Sequence, residues 1–374
     1  MAMLRRGSLA ATGMILAMCV AACQSTATVP QRTLEAALDH YLSAQAAEQH
    51  FSGTILIAQH GKVLLTKGYG WADERQRIAN QPSTAFGIGS ITNQFTAMAI
   101  LLLQERGQLR VRDPVCLYIS GCGKTWMAIT LQNLLTHTSG IPDYGGSLSR
   151  SQRSPSESLL QYLERQPLDF RPGSQFRHSN SGYAILGLVI QRLSGGPYVG
   201  FLRREIFNPL HLTDTGDLQS SPPVANLAIG YGQAWTTAAP WDTSPLFATG
   251  SLYSTVENLY AWDAALFGQT FATERTRQEM RTPQVTECNS AGALCRVSDC
   301  NAQKINCLSY GYGLFVQQLP TRDGYVHVIG HNGLVPGFSS LNYYYPEQKL
   351  TVIVLSNIDT FSSDAILDII DLSL

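Results

Sequence analysis

Ser90 stands at the head of an apolar run over residues 91–106 that Gly107 ends. A hydroxyl there can cap a helix. It can also act as a nucleophile, because the N–H groups and dipole of a helix start favour the negative charge that develops during attack on a carbonyl. Asn93 follows three residues on, and residues so spaced share a helix face. Its amide can reach Ser90 but cannot take a proton at neutral pH. His178 can: an imidazole, with an ordinary pKa of about 6.5, is a usable base without cations beside it. Ser90 and His178 would then form a dyad, with Asn93 orienting one partner. His331 is a second candidate base, or a group that holds an anionic or carbonyl part of a substrate. His137 reads as structural, and His40, His50, His60, His211 and His327 as surface or core residues.

Positioning these groups requires a scaffold, and the hydrophobic patterning outlines one. Thr33 can cap a helix whose Leu34, Leu38, Tyr41 and Leu42 fall on one face. Residues 54–58 and 62–69 read as a hairpin around His60-Gly61. Near the other end, 325–329, 339–345 and 350–356 read as strands, followed by a helix over 362–372. Between them lies a mostly helical stretch, with runs at 91–106 and 181–193 apolar nearly all round and therefore buried. Strands at both ends around inserted helices predict an α+β fold: an antiparallel sheet built from both chain ends, flanked by helices, with an inserted mainly helical subdomain. The sheet part is placed at about 33–85 and 308–374, the helical part at about 86–283, and a Cys-rich insertion at about 284–307.

Composition narrows the function classes. Of 374 residues 44% are apolar and only 14% charged, with a net charge of −1, which argues for a well-packed body and against a disordered chain or coiled coil. Lys62, Lys67, Lys124, Lys304 and Lys349 are the only lysines. No basic patch stands out, so phosphate-tracking nucleic-acid binding is not expected.

The N-terminus reads as an export signal: Arg5 and Arg6, then an apolar run of 15 residues, Ser8 to Ala22, shorter than the roughly 20 a membrane-spanning helix needs. It ends in Val20-Ala21-Ala22-Cys23, which resembles a bacterial lipobox. Residues 1–22 are thus expected to be a lipoprotein signal, Cys23 the lipidated thiol, and 23–32 a linker, anchoring the protein in the bacterial cell envelope. Six cysteines remain as staples for an oxidising compartment. Cys116 and Cys122 are expected to pair. Cys288, Cys295, Cys300 and Cys307, spaced 7, 5 and 7 apart, suit a nested hairpin, 288 with 307 and 295 with 300, although four cysteines allow three connectivities. A structural zinc is the alternative, but no CxxC or HxxxH spacing supports it, and neither a metal nor another cofactor is expected.

Five ordered motifs carry a family resemblance. Phe86-Gly87-Ile88-Gly89-Ser90-Ile91-Thr92-Asn93 resembles the nucleophile segment of the serine β-lactamase/D,D-peptidase superfamily, in the class C-like branch that includes many esterases. Leu134-Leu135-Thr136-His137-Thr138-Ser139-Gly140-Ile141-Pro142 resembles a second segment, and Phe170-Arg171-Pro172-Gly173 leads into His178-Ser179-Asn180 in the place of the family's Tyr-Ser-Asn. Gly250-Ser251-Leu252-Tyr253-Ser254-Thr255 and Gly330-His331-Asn332-Gly333 complete the set, the latter where the family has Lys/His-x-Gly. The resemblance runs from about residue 34 to the C-terminus. It implies Ser90 as nucleophile, an oxyanion hole from the backbone N–H groups of Ser90 and Leu334, and Asn180 holding substrate or the surroundings of Ser90. Two positions depart from the pattern. The family's Ser-x-x-Lys lysine is Asn93, and its Tyr-x-Asn tyrosine is His178, whose ring is shorter than a phenol by roughly 2 Å, so that proton transfer can require a bridging water. The expectation is an exported serine hydrolase acting on an ester, amide or D-amino-acid peptide through a Ser90 acyl-enzyme. The alternative is a catalytically impaired lipoprotein that binds a peptide or peptidoglycan-like ligand in the same cleft.

Overall fold

β-branched and aliphatic residues alternate faces along each strand of the main sheet, so that Ile55 and Ile57 pack on one side and Leu56 and Ala58 on the other. The computed structural model describes residues 33–144, 157–219, 224–238, 246–288, 292–296, 307–321, 324–371 and 373. Residues 1–32, with the signal and Cys23, lie outside them, as does Cys300. The eight strands run in the order Lys62–Tyr69, Gly53–Gln59, Leu350–Ser356, Phe338–Tyr345, Gly324–Val335, Phe315–Thr321, Leu308–Tyr310, Val285–Glu287, all antiparallel. The N-terminal hairpin closes on the C-terminal strand from Gly53 opposite Ser356 to Gln59 opposite Leu350, which is the sheet completed by both chain ends that the sequence predicts.

Helices cover both faces. On one, Leu38 and Leu42 of helix Leu34–Ala47 and Ile366 and Ile370 of helix Asp364–Asp371 pack over Ile55, Val352 and Val354. On the other lie helices Thr92–Glu105, Asn180–Ser194 and Val256–Phe267. The second of these stops where expected, at Gly195 in the left-handed conformation (φ 69°). Asp263, fully enclosed on helix Val256–Phe267, accepts a 3.0 Å hydrogen bond from Asn342 Nδ2 of the sheet. Burial pushes its pKa up to about 7 against that hydrogen bond. Its Oδ2 and the Oδ1 of Asn342 have no partner among the described residues.

The structure differs from the expected elements in three places. The strand expected at 325–329 continues to Val335, because Gly330 and Gly333 permit close packing: a Cβ at Gly330 would lie 2.0 Å from Asn342 O, and one at Gly333 2.1 Å from Ile88 O. The insertion placed at 284–307 begins inside the sheet, since Val285–Glu287 is its edge strand. The nested disulfide pattern is corrected as well. Cys116 pairs with Cys122 as expected, but Cys288 pairs with Cys295. The chain turns back at once after Glu287, with Cys288 N–H donating to Ala293 O and Cys295 N–H to Thr286 O, which brings Cys295 into bonding reach of Cys288. The sulfur of Cys307 remains within 4.8 Å of both.

Candidate functional site

Strand Phe315–Thr321 covers strand Gly324–Val335 only as far as Gly330. The uncovered length, from His331 on, receives the turn that carries the candidate nucleophile Ser90, Gly89–Ile91, which leads directly into helix Thr92–Glu105. Ser340 Oγ donates to Ile88 O at 2.9 Å and Ile88 N–H to Leu252 O at 2.9 Å, tying this turn to two strands. Gly89 adopts φ 50°, and a Cβ there would sit 2.7 Å from Leu334 N. The backbone on which Ser90 sits and the backbone of Leu334 are therefore in contact, while the Leu334 side chain is 64% exposed at the mouth.

Asn93 lies beneath this turn. It is buried, neither end of its amide has a regular hydrogen-bond partner among the described residues, and it approaches the Tyr310 hydroxyl. No hydrogen bond joins Ser90 Oγ to His178 or Asn93 among the described residues, so the expected dyad is not a direct pair in this state. His178 opens to solvent. Partial desolvation lowers its pKa, opposed by the carboxylate of Asp143. Asp143 in turn accepts the backbone N–H of Asn180 at 2.9 Å, at the head of helix Asn180–Ser194. Ser181 fastens the same loop, donating to Pro142 O at 2.6 Å and accepting from Tyr144 N–H at 3.1 Å. On the other side of His178, Phe176 N–H donates to Gly292 O at 2.8 Å and Gln175 bridges Ala293. The Cys288–Cys295 loop therefore braces the segment that carries His178.

His331 is enclosed, and burial drives its pKa down to about 3, so it is neutral. Its Nδ1 lies 2.5 Å from Asn332 O and its Nε2 3.2 Å from the Tyr310 hydroxyl. Both nitrogens thus face protein partners rather than the cleft. The Tyr310 hydroxyl also meets His137 Nε2 at 3.2 Å. The His137 ring lies 4.3 Å from that of His178, centre to centre. His137 and Tyr310, which the motif pattern left out as chemistry, therefore sit at the centre of the polar cluster.

Comparison with known proteins follows the same outline. The Beta-lactamase family model matches residues 38–372. A protein of Bacillus subtilis (strain 168) named as penicillin-binding protein PbpX is 30% identical over 322 residues, 85% of this chain and 73% of its own. The octameric penicillin-binding protein homologue from Pyrococcus abyssi superposes with a TM-score of 0.74 at 26% identity, over 88% of this chain and 75% of that one. D-amino acid amidase from Ochrobactrum anthropi SV3 shares the fold, with a TM-score of 0.74 at 23% identity over 90% and 96% of the two chains.

Proposed function

Because the chain belongs to the beta-lactamase family, we propose that it is a serine hydrolase that transfers the acyl group of an ester, amide or D-amino-acid peptide through Ser90. The observation that carries this reading is the contact between the nucleophile turn and Leu334, where a Gly89 Cβ would lie 2.7 Å from Leu334 N. Two backbone N–H groups, of Ser90 and Leu334, would receive the carbonyl oxygen as it becomes an oxyanion. Such donors account for factors of about 10²–10³ each in rate, and they do not depend on the lysine that Asn93 replaces.

The base in this reading is His178, which is open to solvent, rather than His331, whose nitrogens are engaged. Ser90 Oγ bonds to the carbonyl carbon while its proton passes through one water to the His178 ring. The imidazolium returns a proton to the departing alcohol or amine, leaving an ester on Ser90. A second water, deprotonated by His178, attacks that ester and restores Ser90 as the acid leaves. Export and lipidation at Cys23 would place the protein in the cell envelope.

The second reading, a binder without turnover, is favoured by Asn93, an amide that cannot take a proton, at the position of the family lysine. Labelling with a fluorophosphonate separates the two. A covalent adduct in wild type that Ser90→Ala abolishes is expected, as is a loss of at least tenfold in rate in His178→Phe. Absence of a Ser90 adduct at every pH tested would leave the binder, and an unchanged rate in His178→Phe would remove the histidine base.

A further inference from the structure

Helix Asn180–Ser194 begins two residues after His178, and its N-cap residue, Ser179, makes no side-chain cap. The cap comes from another segment: Asp143 Oδ1 accepts the N–H of Asn180 at 2.9 Å. Further bonds pin the chain on either side of that carboxylate. Ser179 Oγ donates to Ile141 O at 3.3 Å, and Ser181 Oγ donates to Pro142 O and accepts from Tyr144 N–H. Residues 141–144 are therefore laid along residues 179–181, which holds the Asp143 carboxylate next to the segment that carries His178. The other ionisable groups around this histidine are neutral or engaged. The rings of His137 and His331, at 4.3 and 6.3 Å from it, centre to centre, are enclosed, and burial keeps both uncharged. Arg177, the adjacent cation, is paired with Asp169 at 2.8 Å. Asp143 is the charged group that acts on His178.

We infer that Asp143 is a positioning residue for the Ser90 site, its carboxylate held by the Asn180 N–H as the counter-charge of the His178 imidazolium. The inference rests on the reading of Ser90 as nucleophile and His178 as its base. When the ring takes the serine proton it becomes a cation, and a nearby anion favours that form. Packing against His137 works the other way, because desolvation disfavours the charged ring. The carboxylate thus restores basicity that the packing removes, in a site that has lost its lysine. Capping the helix and balancing the imidazolium make different demands on Asp143. The cap needs an acceptor oxygen, whereas the counter-charge needs an ionised group. Asp143→Asn keeps the first and removes the second.

NMR titration of the histidine rings in the whole protein tests this without reference to activity, the His178 signal being identified by its loss in His178→Phe. In Asp143→Asn the His178 midpoint should fall by about half a pH unit or more. Fluorophosphonate labelling of Ser90 should follow: the midpoint of its rise with pH moves down equally, and its plateau rate drops at least threefold, a deficit that narrows as pH falls. A His178 midpoint or a labelling profile that superposes on wild type would leave Asp143 a helix cap only and overturns the inference. Should Asp143→Asn fail to fold, the wild type decides. Its His178 midpoint must fall as ionic strength is raised to about 1 M, where the screening length is about 3 Å, and a midpoint that holds or rises overturns the inference. If the wild type forms no Ser90 adduct, the hydrolase reading falls, and the NMR midpoints alone decide whether Asp143 acts on the ring.

Discussion

Asn93 holds two buried amide atoms without regular partners, one turn after the proposed nucleophile. An unsatisfied buried donor or acceptor costs about 1–3 kcal/mol. Asn93→Leu, similar in volume, is therefore expected to stabilise the fold by about 1–3 kcal/mol in urea denaturation. A loss of stability instead would mean that the approach of the amide to the Tyr310 hydroxyl is a stabilising hydrogen bond. The residues in the family's motif positions, Ser90, His178, Asn180 and His331, were legible because each sits in a recognisable local string. Tyr310 was not: its partner His137 is 173 residues away, and nothing local distinguishes a tyrosine that packs from one whose hydroxyl lies between two imidazoles. Similarly, the expected Ser90–His178 pairing depends on side-chain reach, which residue type alone does not supply.

At the scale of elements, the site depends on a strand and a turn packed without side chains between them. Adding a methyl in Gly333→Ala would put a Cβ 2.1 Å from Ile88 O and push strand Gly324–Val335 off the nucleophile turn. A fall of at least a hundredfold in Ser90 labelling is expected, larger than any accompanying shift in thermal midpoint explains. Strand Leu350–Ser356 was legible residue for residue because it is β-branched or aliphatic apart from Ser356 and is buried along its length. The strand carrying His331 was cut short in the reading because glycine signals both a break and a close approach. Helix Val256–Phe267 docks through Asp263, whose unpartnered Oδ2 and the Oδ1 of Asn342 are explained together by a protonated carboxyl facing the amide. Its pKa of about 7 exceeds the unfolded value of about 3.9, so its contribution is full below pH 4 and declines as pH rises to 7. The decline amounts to at most about 4 kcal/mol, from about 1.4 kcal/mol per pKa unit. Urea midpoints measured from pH 4 to 8 should fall with pH more steeply in wild type than in Asp263→Asn, which keeps an amide donor; parallel curves would show a carboxylate already ionised.

Across the whole molecule, the two ends of the chain meet in neighbouring strands, with Gly53 opposite Ser356, so the sheet cannot be completed until the last segment is made. That closure was legible from strands at both ends of the sequence. The path of the cysteine-rich segment was not, since a symmetric spacing serves nested and consecutive pairings equally well. The Cys288–Cys295 loop, through Gly292 O and Ala293, braces the backbone leading to His178. Its bond closes a ring of about eight residues, for which chain entropy gives about 2.5 kcal/mol, small beside a core spanning the sheet and its helices. Mild reduction, or Cys288→Ser with Cys295→Ser, is therefore expected to slow Ser90 labelling at least fivefold while the cooperative unfolding transition persists. Equal labelling by oxidised and reduced protein would show that the brace is dispensable. If the brace matters, a chain newly made under reducing conditions would remain a folded but idle precursor, and oxidation would be the event that commissions it.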